Sequence, residues 1–107
     1  MEKGVIKSMS EKIVYISGAI TGTKDYMERF GAAEKTLKYW GYKPINPAKT
    51  NSKLPEDTTW AGYMRASICL LMKADAIYMI RGWRKSKGAA LEHLIAKALG
   101  MEIITDL

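Results

Sequence analysis

The chain has 107 residues, 48% of them hydrophobic, a formal charge of +6 and one cysteine. That is enough for one packed core and too little for a second. No apolar run approaches the roughly 20 residues of a membrane helix, and a lone cysteine excludes an intrachain disulfide and a metal site built on several thiolates. The positive charge favours an anionic partner, whether nucleotide, nucleic acid or anionic surface, and chooses among none of them; a solvated basic surface would satisfy it equally.

Residues 1–11 read as a polar extension, with Met9 an alternative start, and residues 12–107 as one domain. No secretory signal is visible, so a cytoplasmic address is expected. KIVYIS (12–17) is a short β-branched run ended by Gly18 and reads as a buried strand. Asp25 and Glu28 have the spacing of a capping box, and Met27, Phe30, Ala33, Leu37 and Trp40 then recur at helical spacing up to Gly41. YKPIN (42–46) predicts a second strand, placed at an edge by Pro44, and residues 47–58 predict a polar loop of the kind that covers a binding site. Thr58 or Thr59 caps a second helix carrying Tyr63, Met64, Ile68, Leu71 and Met72, with Cys69 as a buried thiol. Trp60, Tyr63 and Met64 on this helix suit a subunit contact. ADAIYMI (74–80) is a third strand that Asp75 opens in a structural role. Ser86 caps a third helix through Leu91, Leu94, Ile95 and Ala98, and after Gly100 MEIIT (101–105) is the last strand.

Strands alternating with helices predict an α/β single-domain fold with a parallel sheet of four or five strands, flanked by helices on both faces. It is Rossmann-like, with the flavodoxin-type order 2-1-3-4. In such a sheet a ligand sits outside the carboxyl ends of the strands, where the order reverses. Here that brings together the loop of Ser17, Gly18, Ile20, Thr21 and Gly22 and the loop from Arg81 to Gly88. The first loop offers close backbone approach and hydroxyl donors, or is an ordinary strand-to-helix turn. The second carries Arg81, Arg84, Lys85 and Lys87 and runs into a helix N-terminus at Ser86 and Gly88, a setting for an anion or simply a basic surface loop. Trp83 stacks on a base or lines a subunit contact.

Glu92 lies one turn into the third helix, beside the apolar stripe of Leu91, Ile95 and Leu99 and four residues after Gly88. There it serves as a nucleophile or a ribose-binding carboxylate, or is a boundary glutamate of an amphipathic helix. His93 falls on the solvent side of the same helical wheel. No metal or cofactor is expected.

VYISGAITG (14–22), WAGYMRASICLLMKADAIYMI (60–80) and GWRKSKGAALEHLIAKALG (82–100) together resemble the nucleoside 2-deoxyribosyltransferase superfamily, which includes 2′-deoxynucleoside 5′-phosphate N-hydrolases. The likeness is closest to its short bacterial and phage members. It implies a homodimer or higher homo-oligomer and a glutamate that attacks C1′ of a nucleoside, with a covalent glycosyl-enzyme passing to water or another base. By that resemblance Glu92 is the nucleophile, Tyr15 stands beside sugar and carboxylate, and Ser86 and Gly88 start the phosphate-binding helix. Two positions depart from the pattern. These enzymes typically carry an aspartate where this chain has Ser67, and the monophosphate hydrolases have an arginine where it has Thr21, for which Arg84 or Lys87 could compensate. The expected ligand is a nucleotide or nucleoside phosphate, and the expected function hydrolysis or transfer at its N-glycosidic bond. The alternative is a catalytically impaired nucleotide-binding or signal-capturing module. A nucleic-acid-binding role rests on charge alone and ranks last, and no membrane partner is expected.

Overall fold

The computed structural model describes residues 12–106; the expected polar extension, the Met9 start and Leu107 lie outside the described residues. Strand β1 (Ile13–Ser17) leads through a loop to helix α1 (Tyr26–Tyr39) and strand β2 (Lys43–Ile45). Helix α2 (Pro47–Thr50) and a 3-10 turn (Asn51–Lys53) precede helix α3 (Trp60–Leu71) and strand β3 (Ala76–Met79). A second 3-10 turn (Trp83–Lys85), helix α4 (Lys87–Ala98) and strand β4 (Glu102–Thr105) complete the order. The sheet is parallel throughout, in the predicted order β2-β1-β3-β4, with Pro44 on an edge strand.

Strand periodicity divides the core into two layers. Val14 and Ile16 of β1 join Phe30, Ala33 and Leu37 of α1 on one face, while Tyr15 meets Leu71, Ala89 and Ala96 of α3 and α4 on the other. Leu37 and Leu71 are wholly buried, each worth about 1.5–3 kcal/mol of apolar transfer. Both α1 and α4 end alike. Gly41 (φ +95°) and Gly100 (φ +72°) adopt the left-handed conformation, and the next residue's amide reaches back into the helix, Tyr42 to Leu37 at 2.9 Å and Met101 to Ala96 at 2.9 Å. The glycines therefore set where each chain segment turns back into the sheet.

Several local expectations change. Asp25 precedes α1 but makes no side-chain cap bond, so the capping box does not form. Met27 and Trp40 are nearly half exposed, and only Phe30, Ala33 and Leu37 bury the helical stripe. The segment predicted as a polar loop contains α2, started by the Asn46 side chain accepting from Lys49 N and by Pro47 in the first turn. Cys69 is exposed, because α3 buries Met64, Ser67 and Leu71 instead. Met72 is also half exposed. In α4 the buried face is Ala89, Glu92 and Ala96, while Leu94 and Leu99 face outward at 62% and 59% exposure. The wheel centred on Leu91, Ile95 and Leu99 is thus rotated. Small residues let α4 approach the sheet closely, and a helix that close presents its alanines rather than its leucines to the strands.

Candidate functional site at the carboxyl ends of β1 and β3

The alternation that buries Val14 and Ile16 on the α1 face turns Tyr15 and Ser17 toward α4. Both hydroxyls meet Glu92. The Tyr15 hydroxyl donates to Glu92 Oε2 at 2.6 Å and the Ser17 hydroxyl to Oε1 at 2.6 Å. Glu92 is 5% exposed and is the one buried acidic side chain among the described residues. Burial pushes its carboxyl above the ordinary range, and the bonds from Ser17 and Tyr15 oppose that rise. Burial, with the Glu92 charge beside it, likewise drives the Tyr15 phenol well above its usual value. The sequence reading of Glu92 as a residue flanking the buried stripe is corrected: it sits at the centre of that stripe, where two hydroxyl donors offset part of its desolvation.

Glu92 lies on the wall of a cavity of about 670 Å³, a size suited to a small organic ligand. Of the residues singled out in the sequence, Tyr15, Gly18, Ile20, Thr21, Ser67, Ser86, Gly88 and Glu92 line it. Ser86 caps α4 by accepting from Ala89 N at 3.1 Å, which leaves the hydroxyl proton to point at a ligand. A side chain at Gly88 would come within 3.0 Å of Met64 Sδ, so glycine keeps this part of the cavity open. Lys85 and Lys87 stand at the same helix start, and Lys87 Nζ rests 4.3 Å from the centre of the Trp60 ring.

Other sequence candidates stand elsewhere. Ser17 reaches Glu92 from the sheet side and is buried, and Gly22 occupies the exposed tip of its loop. Trp83 does not face the cavity. It is 8% exposed in the core between sheet and α4, its ring stacked on His93 at 4.2 Å and covered by the Arg84 guanidinium at 4.6 Å. Arg84 therefore lies on the protein's own tryptophan. His93, expected on the solvent side, is partly covered by that stack, and burial first, then Lys97 and Arg84, lowers its pKa.

The structure adds residues that the sequence did not single out for the site. Trp60, Tyr63 and Met64, singled out in the sequence only for a subunit contact, also line the cavity. The Tyr63 phenol is pushed up to about 12, chiefly by burial. Asn51, in the turn after α2, is buried and donates from Nδ2 to Ser67 Oγ at 2.9 Å. Two side-chain bonds thus reach this wall, Asn51 to Ser67 and Tyr15 to Glu92. The Asn46-Pro47 pair signals the short helix that precedes Asn51, but nothing local distinguishes Asn51 from any polar loop residue.

A 2-deoxyribosyltransferase from the psychrotolerant bacterium Bacillus psychrosaccharolyticus has the same fold, with a TM-score of 0.69 at 15% identity over 87% of this chain and 70% of that one. No curated protein matches the sequence. A family model does match, over residues 12–105, which takes in every strand and helix described above. The chain belongs to the family described as a domain of unknown function, DUF4406.

Proposed function

We propose that this protein binds a nucleoside phosphate and cleaves or transfers at its N-glycosidic bond, with Glu92 as the nucleophile. The observation that carries the reading is the buried Glu92 carboxylate, oriented by Tyr15 and Ser17 at 2.6 Å each and open to a cavity of about 670 Å³. A carboxylate held by two donors is fixed in direction, and each oxygen keeps a lone pair for an electrophilic carbon. Glu92 attacks C1′, the base departs with the glycosidic electron pair, and water or a second base then displaces the carboxylate. Ser86, Lys85 and Lys87 at the start of α4 suit a phosphate, because free amides, helix dipole and ammonium groups act together there. The shared fold with a 2-deoxyribosyltransferase supports the same class of chemistry. Exposed Leu94 and Leu99 on α4 fit a homo-oligomer, which light scattering would reveal.

The test is incubation with ribo- and deoxynucleoside phosphates, followed by mass spectrometry of bound and released species. Free base from the wild type but not from Glu92→Ala is the expected result. The second reading, a binding module that returns its ligand unchanged, is favoured by one observation: a neutral Ser67 where the resembling enzymes carry an aspartate. Ligand recovered intact alongside tight binding selects it, and failure to bind any nucleotide rejects both.

A further inference from the structure

On the reading of Glu92 as a nucleophile, the neutral groups around it, Tyr15, Ser17 and the Asn51–Ser67 pair, point to the kind of bond this site cleaves. We infer that the site acts on N-glycosides whose base is already cationic at the glycosidic ring, such as an N-alkylated purine or a pyridinium, and which therefore leaves without taking a proton from the protein.

The argument starts from what the polar groups around the carboxylate can give. A neutral base such as guanine is a poor leaving group until a proton reaches its ring, and a positioned acid with a pKa near the working pH supplies that proton at a gain of roughly 10²–10⁴ in rate. Ser67 cannot play this part. Its hydroxyl is a very weak acid, and its oxygen accepts from Asn51. Tyr15 has its proton directed at Glu92 and its phenol well above the usual value. Tyr63, the other phenol on the wall, is held at about 12. His93 is stacked on Trp83, Glu56 and Asp57 are exposed in the loop before Thr58, and none of the three lines the cavity. Lys85 and Lys87 stand at the start of α4, at the end suited to the phosphate. The donors nearest Glu92 all point toward it, so they stabilise negative charge on the carboxylate and hold no proton ready for the base.

The same wall suits a cationic ring. Tyr63 lines the cavity with a partly exposed ring, and an aromatic face attracts a delocalised cation. The Glu92 carboxylate adds a full negative charge at the point where the ring meets the sugar. In the first step a Glu92 oxygen bonds to C1′, the C1′–N bond breaks, and its electron pair neutralises the ring's positive charge, so the base departs neutral with no proton transferred. In the second step water attacks C1′, the pair of the C1′–O bond returns to the Glu92 carboxylate, and the water's proton passes to solvent.

The test compares 7-methyl-2′-deoxyguanosine 5′-phosphate with 2′-deoxyguanosine 5′-phosphate, and the corresponding ribonucleotides, using the full chain. Base release is followed chromatographically across pH and corrected for each compound's release without protein. The methylated compounds are expected to be cleaved with kcat/KM about 100-fold or more above the unmethylated ones. The pH profile should have a single rising limb. Ser67→Asp should narrow the preference by accelerating the unmethylated substrate and add a falling limb at higher pH. Comparable kcat/KM on both substrates, with a falling limb already in the wild type, overturns the inference while leaving Glu92 as nucleophile. Cleavage of neither substrate overturns both. The wild-type ratio and profile decide the matter even where Ser67→Asp fails to fold.

Discussion

The two ends of the sheet each carry a carboxylate, and they are held in opposite ways. At the amino end Asp75 accepts the Ile13 amide at 2.9 Å, and its own amide donates to the Ile13 oxygen at 2.8 Å. Nearby, Lys12 pairs with Glu102 across the sheet. At the carboxyl end Glu92 is held by two side-chain hydroxyls. A backbone amide only donates, so Asp75 splints β1 to β3 in a single arrangement. A hydroxyl donates or accepts and rotates, so Glu92 keeps its partners whether ionised, protonated or esterified. A bond to backbone fixes a strand; bonds to rotatable hydroxyls leave a carboxylate free to change its chemical state.

The largest expected effect separates the two carboxylates by activity. Glu92→Gln should lower base release by at least about 10³-fold, as removal of a covalent nucleophile does. Its stability should move the other way. The folded-state pKa of Glu92 is raised above 4.5, so the folded protein binds more protons than the unfolded chain above that pH, and the carboxylate costs stability as pH rises through its folded value. Melting temperatures of Glu92→Gln should therefore exceed wild type at neutral pH, with the gain vanishing below about pH 4.5. A lower melting temperature at neutral pH would mean that the ionised carboxylate is a structural element after all.

Tyr15→Phe sharpens the role of the hydroxyls. It removes a donor that lowers the Glu92 pKa, so the rising limb of activity should move to higher pH, with kcat reduced about 10- to 100-fold. An unmoved limb would detach Tyr15 from the carboxylate's ionisation. Asp75→Ala should cost about 1–3 kcal/mol in denaturant unfolding by leaving the Ile13 amide without its acceptor, while base release per folded molecule stays at wild-type level. A loss of activity there would couple the two ends of the sheet. The smallest effect is expected from Gly88→Ala. The added methyl group meets the flexible Met64 side chain, so the fold tolerates it and KM rises a few-fold, as steady-state kinetics would show.

Much of this was legible before any coordinates. Regular alternation of strands and helices gave the parallel sheet, and the right-handed crossover rule with the doubly wound analogy gave its order. Ser86 at a helix start, Gly88 and Glu92 on one helix face, and Tyr15 and Ser17 on one strand face are periodicities of three to four and of two. Those periods are local, so the sequence determined them by itself. The rotation of α4 was not local. A helical wheel weights leucines by hydrophobicity, whereas the close approach of α4 to the sheet selected Ala89 and Ala96 and carried Glu92 inward with them. The inward turn of Trp83 and the meeting of Asn51 with Ser67 depend in the same way on elements remote in the chain.

Glu92 shows where the division falls. Its position on α4 and its distance along the chain from Gly88 followed from sequence. Its burial, its two hydroxyl donors and its raised pKa were decided only when β1 and α4 packed, because desolvation belongs to the surroundings of a carboxylate and not to the residue.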